Sequence, residues 1–520
     1  MRRLLLFVAV FCVLAPAAGA QTRDVLYVGN NWEGTADVID VRTFERIHRL
    51  NIIPDKDERL AEISMDPASQ GYFLGIRQLV GEGNDQFVDD MFSSHDGRFL
   101  YVSRPSFADV VGIDLATEEI VWRVKVDGYR ADHMAISPHG RHVLVSASTA
   151  RKVHVIDVAK GEIIGEFESG DQPHENNYSA DGNTVFHASI GTVYTPTDDP
   201  AFDDTKGDRW FQVVDARTNK VLERIDMGQK LEEAGHPDMS AAVRPMALSP
   251  DERYVYFQVS FFHGFVEYDL VEDRVLRLAH LPISDEAKGK RREEYLLDSA
   301  HHGLAMNPEG TKLCVAGTMS DYAAIVRRDS FAVNIAANGI KPYWSTNSGD
   351  GKLCFVSFSG DDAVSVISYD SEREIARIPV GDHPQRMRMG KLRSDLPAAG
   401  GRAKPKLVVS ARPRRARVRR PLTVRAVVRT RRGGRLVPVR GARVPSRPSR
   451  SFPIRMRCGW SPTPKRAISR PDAYETTETA SSPLNEMKQS LPSPLLVDQY
   501  GLMPFAAICT SNEARSTIAA

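Results

Sequence analysis

The sequence predicts an all-β fold: a seven-bladed β-propeller with an N/C-terminal latch, followed by a basic tail that is partly Ig-like or disordered. Three observations lead there: a recurring turn string, short strands between the turns, and a first repeat whose missing strand reappears after the last. The turn string reads Ser94-His95-Asp96-Gly97, Ser137-Pro138-His139-Gly140, Ser179-Ala180-Asp181-Gly182, Ser249-Pro250-Asp251-Glu252, Asn307-Pro308-Glu309-Gly310 and Ser348-Gly349-Asp350-Gly351. Most spacings are about 40 residues, the length of one four-stranded blade.

Each turn leads into a β-branched and aromatic run such as Phe99 to Ser103 or Val143 to Ser146, the composition of a strand buried on both faces. A second run follows, as in Val110 to Asp114, Val153 to Asp157 and Val364 to Ser368, and then a third, as in Ile120 to Val124 and Glu374 to Val380. The fourth strand precedes the next turn string and is the innermost of the next blade. Counting the second type gives about seven blades. The first repeat, Asp24 to Ile53, lacks an innermost strand, whereas the last runs on into Pro384-Gln385-Arg386-Met387-Arg388-Met389. Together they make one blade, which closes the ring and removes its open sheet edges.

These repeats resemble the YVTN/YncE-like propeller family, whose units read as a Pro-x-Gly opening, a Ser-Pro-Asp-Gly turn and a Val-x-Val-Ile-Asp strand. The resemblance covers about residues 22 to 395 and implies the fold. It implies little about function, because the family includes binding, surface and enzyme-associated members. Insertions at Pro54 to Asp85, Thr195 to Arg209, Gln229 to Ala242 and Ile283 to Ala300 lengthen some repeats, and insertions in repeat folds gather on one face and build its binding surface.

Arg2 and Arg3, the apolar run Leu4 to Leu14 and the small-x-small string Ala18-Gly19-Ala20 predict a signal peptide over residues 1–20 and a mature chain from Gln21. The expected location is secreted, periplasmic or extracellular, with no membrane span. The expected propeller covers 21–395. Residues 396–444 read as a basic, truncated Ig-like segment with strands at Lys406 to Ser410, Leu422 to Arg429 and Arg435 to Val444, and 445–520 as a disordered tail. Residues 391–520 hold 27 Lys and Arg against 7 Asp and Glu, which leaves 1–390 at −19 within a total of +1. The tail therefore suits an anionic cell-surface polymer or the acidic propeller itself, and base-reading motifs are absent, so no nucleic acid is expected. Cys314 and Cys354 lie in the near-identical strings Lys312-Leu313-Cys314-Val315 and Lys352-Leu353-Cys354-Phe355. Equal strand positions in successive repeats predict two buried small hydrophobes rather than a disulfide or metal pair.

The loops entering the innermost strands form the funnel of a propeller, and a slot about five residues before each turn string falls there. With its neighbours it delivers Asp89 and Asp90, Asp132 and His133, His174 and Glu175, Arg244, His301 and His302, Tyr343 and Gln385. One reading is a polar ring for an anionic or metal-bound ligand, with His133, His174 and His302 as neutral imidazole ligands or proton carriers and Arg244 as an anion clamp. The other is a water-filled channel, whose walls are polar in any propeller. Asp198, Asp199, Asp203, Asp204 and Asp208 offer carboxylates for a calcium loop, although without the Asp-x-Asp-x-Asp-Gly spacing, and a solvated acidic loop competes with that reading.

No ligand follows from these residues alone. Copper or calcium are the metal ions considered, and a haem attachment string is absent. Asp114-Leu115-Ala116-Thr117 with Trp122 resembles the tryptophan-docking motif of PQQ quinoproteins, but it occurs in one blade and lacks the motif's Gly, which argues against PQQ. Two functions stand side by side: an exported binding or scaffold propeller for a small ligand, metal or protein partner, and a propeller enzyme using the funnel histidines as a metal-dependent oxidoreductase or lactone hydrolase.

Overall fold

The computed structural model describes residues 21–396 and the backbone of three strands beyond them, Lys406–Arg412, Thr423–Arg432 and Arg435–Pro438. The chain divides into two compact units, 1–401 and 402–520. In the first unit, seven four-stranded antiparallel sheets form a seven-bladed β-propeller. From inside outward, blade 2 runs Met91–Ser93, Phe99–Arg104, Asp109–Asp114 and Glu119–Lys125. Blades 3 to 7 repeat that order, with innermost strands Ala131–Ile136, Pro173–Tyr178, Val243–Leu248, Gly303–Met306 and Pro342–Asn347.

Blade 1 is the composite the repeats predict. Its innermost strand, Pro384–Arg393, pairs antiparallel with Thr22–Asn30, followed outward by Thr35–Asp40 and Arg46–Asn51. Val28 stands opposite Met387 and Val25 opposite Gly390, so the two ends of the repeat array share one ladder and close the ring.

The recurring turn has a physical cause. The Ser94 hydroxyl donates to Asp96 and accepts from the backbone N–H groups of Arg98 and Phe99. The turn closes through a residue in the left-handed region, Gly97 at φ +67°, where glycine carries no Cβ penalty. Ser137, Ser179, Ser249 and Ser348 each accept backbone N–H bonds in the same way at their own turns.

The cores lie between blades. Phe355, Val364 and Val366 of blade 7 pack on Leu26, Val28 and Ile39 of blade 1, and equivalent apolar faces meet around the ring. The cysteines correct the sequence expectation. Cys314 and Cys354 form a disulfide between blades 6 and 7. Cys314 stands four residues beyond its turn glycine Gly310, whereas Cys354 stands three beyond Gly351. Because strand side chains alternate, that one-residue offset turns the two thiols onto opposite strand faces and so toward each other. Matching the local strings instead of the turns hid it.

The first insertion folds into two helices, α1 (Lys56–Met65) and α2 (Pro67–Leu79). Pro67 opens α2, and the Asp66 carboxylate caps it by accepting from the N–H groups of Ala68 and Ser69. In the second unit the three described strands form one antiparallel sheet, and the part of the expected third strand from 439 to 444 lies outside the described residues. The expected signal peptide, 1–20, and the expected disordered tail, 445–520, lie outside the described residues. Among the described residues no helix is long and apolar enough to cross a membrane.

Candidate functional site

One backbone device builds the funnel. In blade 3, Ala131 pairs with Ala147 and Met134 with Val145, so Asp132 and His133 together oppose the single residue Ser146. The same two-against-one bulge holds His174-Glu175 against Ala188, Arg244-Pro245 against Gln258, Tyr343-Trp344 against Ser357, and Gln385-Arg386 against Gly29. Bulges re-aim side chains. Here they interrupt the regular alternation at the predicted slot in five blades.

The first residue of each pair lines a common cavity. Asp89, Asp132, His174, Arg244, His302, Tyr343 and Gln385 stand around it together with His133. The open space is small, about 80 Å³, which suits an ion or a small molecule rather than a large cofactor. Tyr72, Ile76 and Val80 reach it from α2 and the residue just beyond, and Leu297 reaches it from the fourth insertion, so two insertions contribute to the binding surface.

Three predicted residues fall outside the lining. Asp90 is fully buried and accepts bonds of 2.8 and 2.7 Å from Arg388. Glu175 accepts from or donates to His133 Nδ1 at 2.7 Å. His301 faces Tyr322 and the ring of His263. The fifth residue before the blade 6 turn is His302, so His301 stands one place too early. The second position of that blade is Gly303, where a Cβ would lie 2.7 Å from the Ser345 backbone nitrogen and 2.8 Å from the Trp344 carbonyl carbon.

The predicted calcium loop is not assembled as an ion site. Asp198 is held by Lys206 at 2.6 Å and Arg292 at 2.9 Å, Asp203 by Arg292 at 2.6 Å, and Asp208 by Arg151 at 2.5 Å. Asp199 caps the short helix Pro200–Thr205. Protein cations already occupy the carboxylates that a calcium ion would need, and Asp204 joins none of these pairs.

Sequence reasoning missed Gln86, Arg130 and Gln172, which line the cavity two or three places before the slot, and the arginines of the closing strand. Arg130 donates to Asp132 and to Gln86. Arg386 is fully buried over the Trp344 ring, and none of its guanidinium nitrogens makes a hydrogen bond among the described residues, although Asp89 lies 3.5 Å away. Widening the slot by two residues, and reading Arg386 and Arg388 as funnel residues rather than latch residues alone, would have found most of them.

The electrostatics follow from burial. Desolvation first, then nearby arginines, Arg386 for all three and Arg244 for His174 and His302, push His133, His174 and His302 well below the usual imidazole range, so all three are neutral. Burial raises Asp89 and Glu175 to about 7, against the opposing pull of Arg386. One nitrogen from each of His133, His174 and His302 lies within 4.8 Å of the others, and Asp89, Asp132 and His133 converge in the same manner. The His133 and His174 rings are 3.6 Å apart, and His302 stacks on Tyr343 at 4.0 Å. Such a group can ligate an ion, carry a proton, or hold an anion beside the guanidiniums.

No protein-family model and no curated protein matches the chain. Among solved structures, a chain described as hydrazine synthase of Kuenenia stuttgartiensis is similar at 17% identity and a TM-score of 0.47, covering 69% of this chain and 99% of that one.

Proposed function

We propose that this chain is an exported, non-enzymatic β-propeller of the YVTN/YncE-like kind that binds a small anionic ligand in its funnel. The observation that carries the reading is Arg244. It is 1% exposed, its Nε donates to Ser260 and its Nη2 to the Leu297 carbonyl, and its Nη1 donates to no described residue although the side chain lines the cavity. Asp298 and Asp132 act on this buried cation only through space, its hydrogen bonds go to two neutral acceptors, and its spare donor capacity is satisfied by an anion that supplies the missing bond.

Export is supported by the Arg2 to Ala20 pattern and by the buried Cys314–Cys354 disulfide, which persists in oxidising compartments. The family reading rests on the repeat strings. The 27 Lys and Arg beyond residue 390 support an anionic cell-surface polymer as a partner for the tail.

The test is a thermal-shift panel of formate, acetate, nitrite, sulfate and phosphate on the mature protein and on Arg244→Met. At least one probe should raise the melting temperature of the wild type and lose that effect in the variant. A panel without any shift, or equal shifts in both proteins, contradicts the reading.

A second reading, catalysis, has one specific observation behind it. The 2.7 Å bond between His133 Nδ1 and Glu175 fixes the ring and leaves Nε2 without a hydrogen bond, 3.7 Å from Asp132 Oδ1, the arrangement of an oriented general base or metal ligand. Turnover of a simple lactone or a metal-dependent oxidation, lost in Glu175→Gln, would favour it.

A further inference from the structure

We propose that His133, His174 and His302 form a three-imidazole site for a divalent zinc or copper ion, open on the side of the cavity. The proposal rests on the binding role given above to the same funnel and names the ion through which a small anion would be held there.

The geometry carries it. The three histidines come from three blades and are at most 5% exposed, and one nitrogen of each lies within 4.8 Å of the other two. Imidazole nitrogens around zinc at ~2.0–2.1 Å stand roughly 3.4 Å apart. Side-chain rotations that move the nitrogens by about an ångström would therefore close the trio on an ion.

A second observation points to a ligand independently. His174 and His302 each keep a buried Nδ1 with no hydrogen-bond partner among the described residues, and the His133 and His174 rings approach to 3.6 Å without a bond joining them. Buried polar nitrogens are ordinarily paired, and an ion would satisfy them. His133 already has the outer carboxylate that metal-bound histidines use, Glu175 at 2.7 Å.

The donor set selects the ion. Three imidazoles suit zinc and copper, whereas calcium takes oxygen ligands. Arg244 and Arg386 would repel an incoming cation, but Asp89 and Glu175 stand beside the same histidines and offset them. Three protein ligands leave a position free, and Arg244 in the same wall is placed to take a second oxygen of an anion bound there.

The experiment titrates tag-free, metal-stripped mature protein with zinc sulfate and with copper(II) sulfate by calorimetry, followed by elemental analysis after dialysis. One equivalent per chain is expected in the wild type, with affinity at least about 100-fold weaker in His174→Ala and in His302→Ala. His154→Ala, in the separate cluster of buried His154 with exposed Asp127 and Glu166, should bind as the wild type does. Copper(II) electron paramagnetic resonance of the unmutated protein needs no variant to fold and should show nitrogen coupling. An ion lost on dialysis, equal affinity in both funnel variants, loss of binding only in His154→Ala, or oxygen-only coupling would overturn the site. If metal-free protein still binds a small anion through Arg244, the metal site falls and the binding function stands; if metal-loaded protein binds no anion, the reverse holds.

Discussion

Leu26 and Met389 face each other in one antiparallel ladder, and through that pairing the first and last repeats become a single blade. Removing Pro384 to Met389 would open two sheet edges at once and uncover the core around Met387, which is fully buried between blades 7 and 1. The propeller lacking these six residues should therefore melt well below the wild type in one transition, while a chain ending at Gly400 should melt as the wild type does. Equal melting of all three would show that the ring does not depend on this closure.

The Cys314–Cys354 bridge links positions 40 residues apart on adjacent blades. Chain-entropy reasoning gives such a loop a stabilisation of about 4 kcal/mol. Reduction under mild denaturation, or Cys354→Ser, should lower the melting temperature by several degrees, and free-thiol titration of the native protein should find neither cysteine reactive. Two titratable thiols at these positions in the folded, unreduced protein would contradict the pairing.

Acid should weaken the fold partly through His383. Its ring stacks on Trp32 at 3.7 Å, and burial, helped by the nearby Lys341 charge, lowers it to about 3. Asp362 accepts from its backbone N–H, and its own φ is +56°. The unfolded chain takes up this proton near pH 6.5 and the folded one does so only near 3, so the unfolded state binds more protons between those values. Stability from this group is complete above about pH 6.5 and falls as pH drops toward 3, by roughly 1.4 kcal/mol per unit in mid-window. His187 and His301, also lowered to about 3 by burial, add to the slope. His383→Asn, which tolerates the left-handed backbone and does not titrate, should flatten the dependence of denaturant midpoint on pH between 4 and 6; an unchanged slope would refute the assignment.

The blade count, the ring closure and eight of the funnel residues were legible because they repeat: a turn that needs Ser and Gly recurs in register, and the slot is counted from it. What repeats poorly was misread. His301 looked equivalent to His302, but counting five residues back from the blade 6 turn puts His302 in the slot and Gly303, paired regularly with Ala316, after it. The disulfide hid behind a local string match one residue out of register. Arg130 and Arg386 were missed because their roles come from neighbours on other blades, Gln86 and Trp344, which sequence spacing does not bring together. The calcium reading counted carboxylates without the lysine and arginines that claim them, and Arg292 comes from an insertion almost 90 residues further along.

The central claim is that the funnel holds a small anion beside Arg244. The most direct measurement is an anomalous difference map from crystals of the mature protein soaked in selenate. The account predicts a selenium peak inside the cavity, within hydrogen-bonding distance of Arg244 and close to His302 and Tyr343, and no such peak in Arg244→Met. Selenium peaks confined to surface arginines, with the cavity empty of anomalous signal in the wild type, would contradict it.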